Sequence, residues 1–251
     1  MEILEVQGLS KHFGALRAVD HLDLAFQKEQ ITAVIGPNGA GKTTLYNVIT
    51  GKFLPSSGKI FLKGREITGL ASNDLVKLGL TRTFQISNIF PTMSVLDNII
   101  LAAIVHAQKS HRLFKRVSKD REIREESMRI LRLVQMDDQK DLLGTELSHG
   151  DKRRVELAIA MASHPDIILL DEPTAGMGKV ESRQIITLLK ELYKEEKICF
   201  VLTEHDMEMV FEIADRIVVL DHGRLLADGP AEKIKENPEV KEAYLGKEIA
   251  G

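Results

Sequence analysis

The chain has 251 residues with 34 basic and 37 acidic side chains, a net charge of −3. A charged share of 28% beside 43% hydrophobic residues excludes long disorder and collagen-like repeats and leaves ample apolar side chain for a core. The near-neutral balance argues against a general nucleic-acid binder, and the single cysteine, Cys199, excludes an intramolecular disulfide and fits a reducing compartment.

The start, MEILEVQGLS, carries acids and no extended apolar stretch, so it does not read as a secretory signal. No apolar run approaches the roughly 20 residues that cross a bilayer, so a part in any membrane process would be played from the water side. LEVQGL, LDLAF, ITAVIG and KIFLKG are predicted strands separated by Gly, Asp and Lys-Glu turns. After ITAVIG the period changes: in TTLYNVITG, Leu45, Val48 and Ile49 recur at helical spacing, and Gly51 supplies a stop. Residues 94–108 are predicted helical, and the charged stretch 109–126 reads as a solvated helix or loop. Ile123, Ser127, Ile130, Leu131 and Val134 then mark a helix with one mostly apolar face. After LSHGD, the stripe Val155, Ala158, Ile159 and Ala162 predicts a helix over 151–163. DIILLDE and ICFVLTEH are continuous apolar strands; helices are predicted over 181–195 and from Met207 to Ala214, and RIVVLDHGRLLADG as a hairpin turning at 221–223. Buried strands alternating with amphipathic helices imply a largely parallel sheet covered on both faces.

GPNGAGKT, residues 36–43, fits the phosphate-loop pattern of Gly, four residues, Gly-Lys-Thr between a strand and a helix. Glycines let the backbone wrap phosphates, whose charge meets main-chain N–H groups and the positive end of the following helix. Lys42 then reaches the terminal phosphates, and Thr43 offers a hydroxyl to Mg²⁺. The bare pattern arises by chance in roughly 1 in 100 chains of this length. DIILLDE ends in Asp171 and Glu172, which strand alternation would send to opposite sides: Asp171 for an outer-sphere Mg²⁺ contact, Glu172 to polarise an attacking water. Alone, two acids capping the next helix would explain them equally well. Ser148 and Asp151 match a capping box, which by itself accounts for Ser148; the same geometry leaves a helix N-terminus with Gly150 as a second anion site. His205 follows an apolar strand, at the carboxyl edge where α/β sheets bind ligands.

In order, the chain shows Phe13-Gly14, GPNGAGKTT, TRTFQ, LSHGD, IILLDEPT and TEH. Together these resemble the nucleotide-binding subunit of an ABC transporter over essentially the whole chain. The resemblance implies a single ABC ATPase domain, 1–251, of α/β fold. Its P-loop NTPase (RecA-like) core has a parallel sheet and an N-terminal antiparallel β part, in segments 1–85 and 161–230. A helical signature subdomain at 86–160 is inserted, and a helical tail, 231–251, closes the chain. It implies ATP and Mg²⁺ as ligands, with nucleotide bound by Gly36, Pro37, Asn38, Gly39, Ala40, Gly41, Lys42, Thr43 and Thr44, and with Phe13 stacked on adenine. It places Thr43, Gln85 and Asp171 toward the metal, and makes Glu172, His205 and Lys42 the catalytic groups. Ser148, His149 and Gly150 would serve the ATP of a second ATPase subunit. Transmembrane permease subunits would dock on the Gln85 loop and the helical subdomain, from the cytoplasmic face of the plasma membrane. Two departures stand out: His149 and Asp151 replace residues of the commoner LSGGQ, and Gly178 stands where an aspartate is frequent after DEPT.

TRTFQISNIFPTMSVLDNI, LSHGD, PTAGM and the tail NPEVKEAYLG resemble importers of branched-chain amino acids and related compounds such as urea, with the ATPase of lipopolysaccharide export as the alternative. A soluble ABC clamp on DNA or ribosomes is disfavoured, since such proteins carry paired modules or long coiled-coil insertions. Glu172 disfavours a nucleotide switch without hydrolysis.

Overall fold

The computed structural model describes residues 1–83, 89–106 and 120–243. Strands β1 (Glu2–Phe13) and β2 (Leu16–Gln27) form a long antiparallel hairpin. The five-residue β3 (Ile31–Ile35) is wholly buried and leads through the glycine loop into α1 (Lys42–Ile49). Next come β4 (Ser57–Leu62), β5 (Arg65–Glu66), α2 (Ser72–Lys77) and β6 (Leu80–Thr83). Among the described residues, α3 (Val95–His106), α4 (Arg121–Leu133) and α5 (His149–Met161) come next, before β7 (Ile167–Asp171). The chain then alternates through α6 (Lys179–Glu196), β8 (Cys199–Thr203), α7 (Met207–Ile213), β9 (Arg216–Asp221) and β10 (Arg224–Gly229). Two short helices, α8 (Ala231–Glu236) and α9 (Pro238–Ala243), follow.

The strands make two sheets: an antiparallel one in the order β2-β1-β4-β5, and a six-stranded one in the order β10-β9-β3-β8-β7-β6. Among the described residues, only the β9-β10 pair of the second sheet is antiparallel. Its side chains sort by the period of two. Ile31, Ala33, Ile35, Ile168, Leu170, Phe200 and Leu202 face the core shared with α3 to α7. Val34, Ile167, Leu169, Cys199, Val201 and Val218 face α1 and the first sheet, against Tyr46, Leu4 and Phe26. Apolar residues at every position of β3, β7 and β8 except Thr32, Asp171 and Thr203 therefore mean burial on both faces. The sheets are tied where Arg224 donates twice to Asp20 Oδ2 (2.9 and 2.6 Å) and where Arg216, paired with Asp228 within its own sheet, donates to Ala25 O.

The parallel α/β core with an antiparallel N-terminal part matches the fold class expected from sequence. Three elements were not foreseen: β5, α2 and β6. Strand β6 reads Leu-Thr-Arg-Thr, with no apolar run, because its polar side chains are satisfied inside. Thr81 Oγ1 bonds Ser163 Oγ at 2.9 Å, and Arg82 is engaged by Asn47 and Asp171. Helix α5 begins at His149, two residues before the expected start, because Ser148 is its N-cap. Within the stretch 109–126, residues 109–119 fall outside the described residues; Asp120 caps α4 by accepting from Glu122 N. Among the described residues no helix is long and apolar enough to cross a membrane.

Candidate functional site

The order β3-β8-β7 sets the carboxyl ends of three parallel strands side by side. From β3 the chain enters the loop 36–41, which is wedged against neighbouring backbone. A Cβ at Gly36 would stand 2.2 Å from Leu220 O, and one at Gly41, where φ is +103°, 2.3 Å from Ala18 O. Only glycine allows that approach and that turn together. Helix α1 starts at Lys42 without a side-chain cap, which leaves its first-turn N–H groups without a capping side chain and suited to an anion. Asn38, Gly39 and Thr43 are exposed, Pro37 and Thr44 half-buried, and Ala40 buried. The Lys42 ammonium is buried and donates to the carbonyls of Gly36 (2.5 Å) and Pro37 (3.1 Å). Burial pushes its pKa down, opposed by the carboxylates of Glu172 and Asp171.

Asp171 ends β7 on the α1 side of the sheet, where Arg82 Nη2 donates to Oδ2 at 2.6 Å and Thr203 Oγ1 to Oδ1 at 2.9 Å. Arg82 also donates to Asn47 Oδ1 (2.7 Å), and its guanidinium lies 5.4 Å from the Tyr46 ring centre. The strand stops there. Glu172 takes a left-handed φ of +49°, with its N–H directed at Thr203 O (3.1 Å) and Oγ1 (3.2 Å). Glu172 is therefore aimed by that turn rather than by strand alternation. Its Oε1 stands 2.8 Å from Nε2 of His205, one residue past Glu204 at the end of β8.

Ser148 caps α5 reciprocally: its hydroxyl accepts the Asp151 N–H at 3.1 Å and donates to Asp151 Oδ2 at 2.6 Å. His149 Nε2 lies 3.2 Å from Ala175 O, tying the start of α5 to the loop after Glu172, and Gly150 follows in the first turn. Phe13, 45% exposed at the end of β1, meets Phe53 edge-on with ring centres 5.5 Å apart, with the Lys11 ammonium 5.0 Å from its ring centre. Gln85 lies outside the described residues. Beside β6, a cavity of about 700 Å³ opens between α2, α3 and α5, lined by Leu75, Val76, Leu101, Ala102, Val105 and Ile159 among others.

Residues 19–175 match the family model described as ABC transporter. The chain belongs to the ABC transporter family. Residues 224–250 of this cassette also match the model described as branched-chain amino acid ATP-binding cassette transporter. It is 39% identical over 249 residues to the high-affinity branched-chain amino acid transport ATP-binding protein BraF of Pseudomonas aeruginosa, covering 97% of this chain and 98% of that protein. Identity to LivG of Escherichia coli, of the same description, is 36% over 251 residues, covering 97% and 98% of the two chains. The ADP conformation of MJ1267, an ATP-binding cassette of an ABC transporter, superposes with a TM-score of 0.88 at 30% identity, covering 98% and 99%. The cassette is thus an ATP-binding and ATP-hydrolysing subunit.

The cassette brings Lys42, Asp171, Glu172 and His205 to one sheet edge, whereas the contacts of Ser148 and His149 run to Asp151 and Ala175. Sequence reasoning missed Asn47, Arg82, Thr174, Thr203 and Glu204, which brace that edge. Arg82 stood inside the quoted TRTFQ, and Thr203 and Glu204 inside TEH. The available signal was Thr203, a polar residue closing the otherwise apolar β8.

Proposed function

We propose that this cassette hydrolyses MgATP to drive import of branched-chain amino acids, or related small solutes, through a membrane permease. The observation that carries the hydrolytic part is the 2.8 Å contact between Glu172 and His205 at the edge where the phosphate loop begins. The loop amides and the start of α1 bind the phosphates, and Lys42 exchanges the Gly36 and Pro37 carbonyls for the terminal phosphate oxygens. Glu172 accepts the proton of the water that attacks the γ-phosphorus, and the bond to the ADP oxygen breaks. His205 donates to Glu172, fixes the carboxylate, and reaches the γ-phosphate as the group leaves.

Thr43, Gln85 and Asp171 are an all-oxygen donor set of the kind that suits Mg²⁺. Both Asp171 oxygens already accept a hydrogen bond, from Arg82 and Thr203, so its remaining lone pairs suit acceptance from a metal-bound water rather than direct ligation. Bound there, the ion would neutralise charge on the phosphates. Phe13 offers an exposed ring to adenine. The amides of His149 and Gly150 have no intrahelical acceptor, so the start of α5 would serve the ATP of a second subunit, a copy of this chain or a homologue. The permease would dock on the Gln85 loop and on the cavity between α2, α3 and α5, with segment 86–160 as the coupling element and 1–85 and 161–230 as the core. This holds the cassette peripherally at the membrane's inner face, with no nucleic-acid partner.

The import reading is supported by the match at 224–250 and by the names of the BraF and LivG relatives. Vesicles holding the cassette with the permease that copurifies with it should accumulate labelled leucine when ATP is supplied. Lys42→Ala should abolish uptake and weaken nucleotide binding by about one to two decades, from the ~1.5–3 kcal/mol of a charged hydrogen bond. ATP turnover indifferent to leucine, or undiminished uptake by Lys42→Ala, would overturn the assignment.

A further inference from the structure

Glu204, the residue after β8, is a carboxylate with only 3% of its surface exposed, and no step above uses it. An acid at that depth persists where its oxygens are engaged, and here each oxygen takes donors from a different loop. Oε1 accepts the Thr174 N–H at 2.9 Å and the Thr174 hydroxyl as well. Oε2 accepts the N–H of His205 at 3.1 Å. Thr174 lies two residues beyond Glu172, and Pro173 between them has no N–H, so Thr174 is the first amide after Glu172 that can be held. On its other side, the Glu172 N–H is already fixed by Thr203. The Glu204 carboxylate therefore joins the backbone that carries Glu172 to the backbone that carries His205.

We propose that Glu204 is a positioning residue for ATP hydrolysis: its buried carboxylate, spanning Thr174 and the His205 amide, sets the register in which the Glu172–His205 pair forms. This rests on Glu172 as the base and His205 as its partner. A carboxylate suits the task because all three contacts are donors. Glutamine in its place keeps an oxygen for Thr174 but turns an amide N–H toward the His205 N–H. Valine at 174 removes the hydroxyl arm and leaves the backbone arm.

The test compares the full-length Glu204→Gln, Thr174→Val, Thr174→Ser and Glu172→Gln proteins with wild type. The readouts are steady-state ATPase, binding of a fluorescent ATP analogue, and the His205 imidazole proton resonance. Glu204→Gln should lower kcat by about 10- to 100-fold, since misplacement of ~1 Å at a reacting centre costs up to about 10²-fold. KM and analogue affinity should stay within about twofold, and the His205 resonance should shift. Thr174→Val should lower kcat less, in the same pattern, and Thr174→Ser should restore it. An inactive Glu172→Gln beside a Glu204→Gln with wild-type kcat and an unmoved resonance overturns the Glu204 assignment alone. Wild-type turnover by Glu172→Gln overturns the catalytic reading beneath it. A loss of analogue affinity equal to the loss of kcat makes Glu204 merely structural, and also overturns the proposal. Should Glu204→Gln fail to fold, Thr174→Val decides by the same split between kcat and affinity.

Discussion

Replacing Arg82 by methionine removes the guanidinium while keeping an unbranched chain against the Tyr46 ring. The side chains of Arg82 and Asp171 are 7% and 4% exposed, and their 2.6 Å bond sits between α1, β6 and β7. Without Arg82, the Asp171 carboxylate keeps the Thr203 hydroxyl, and Asn47 Oδ1 loses a donor. Removing one partner of a buried pair costs about 3–5 kcal/mol, because the remaining charge stays buried with its compensation reduced, here to the Thr203 hydroxyl and the more distant Lys42 ammonium. For a chain of this size about 2–4 °C of Tm goes with each kcal/mol, so the loss should be roughly 6–20 °C. Asp171→Asn in the Arg82→Met background removes that stranded charge, and most of the loss should return. Urea unfolding of wild type, both single variants and the double variant measures the coupling directly. A loss below ~1 kcal/mol for Arg82→Met, or a double variant as unstable as the sum of the singles, would refute the reasoning.

The Arg224 guanidinium, then His21, hold the Asp20 carboxyl well below the usual carboxylate range. A depressed carboxylate contributes stability that is present above its unfolded value, near 3.9, and is lost as pH falls below it. Urea titrations at pH 7 and pH 3 should therefore show the gap between wild type and Arg224→Met narrowing in acid; a constant or widening gap refutes the pairing. Glu172→Gln with ATP should form a stable dimer, seen as doubled mass by light scattering, because ATP bound across two chains is no longer consumed. Adding Ser148→Arg, at a cost of about 1 kcal/mol for the lost cap, should return it to monomer; a dimer that survives the arginine ends the case for a site shared across subunits.

Where a residue's place follows from local periodicity or from helix capping, the sequence was enough. ITAVIG, DIILLDE and ICFVLTEH are apolar because β3, β7 and β8 are covered on both faces, and Ser148 with Asp151 made the cap their spacing suggested. Long-range pairing was illegible. Arg82 and Asp171 are 89 residues apart in the chain and Thr174 and Glu204 are 30, and nothing in either neighbourhood specifies the other. Strand β6 escaped notice for the same reason, since its polar side chains are satisfied by residues on α1, β7 and the segment after α5. Gly178 precedes α6 with no side-chain cap, and a Cβ there would meet nothing, so the aspartate frequent at this position is not excluded by crowding.

Glu172 shows most directly how this edge is built. A non-glycine residue with φ of +49° is strained by about 1–2 kcal/mol, and a side chain at the end of a buried strand has no local reason to accept that. The conformation is held because Thr203 receives the Glu172 N–H while its hydroxyl donates to Asp171. Glu204 then holds Thr174, and His205 holds the Glu172 carboxylate. Three consecutive residues at one strand end thus fix three positions at the end of its neighbour. Parallel pairing makes this possible, because Asp171 and Thr203 are register partners and every later contact is measured from them. An antiparallel neighbour would send the two chain ends apart. The strain at Glu172 is accordingly a property of the strand pair, and relaxing it by a slip of register would separate the Glu172 carboxylate from the His205 imidazole.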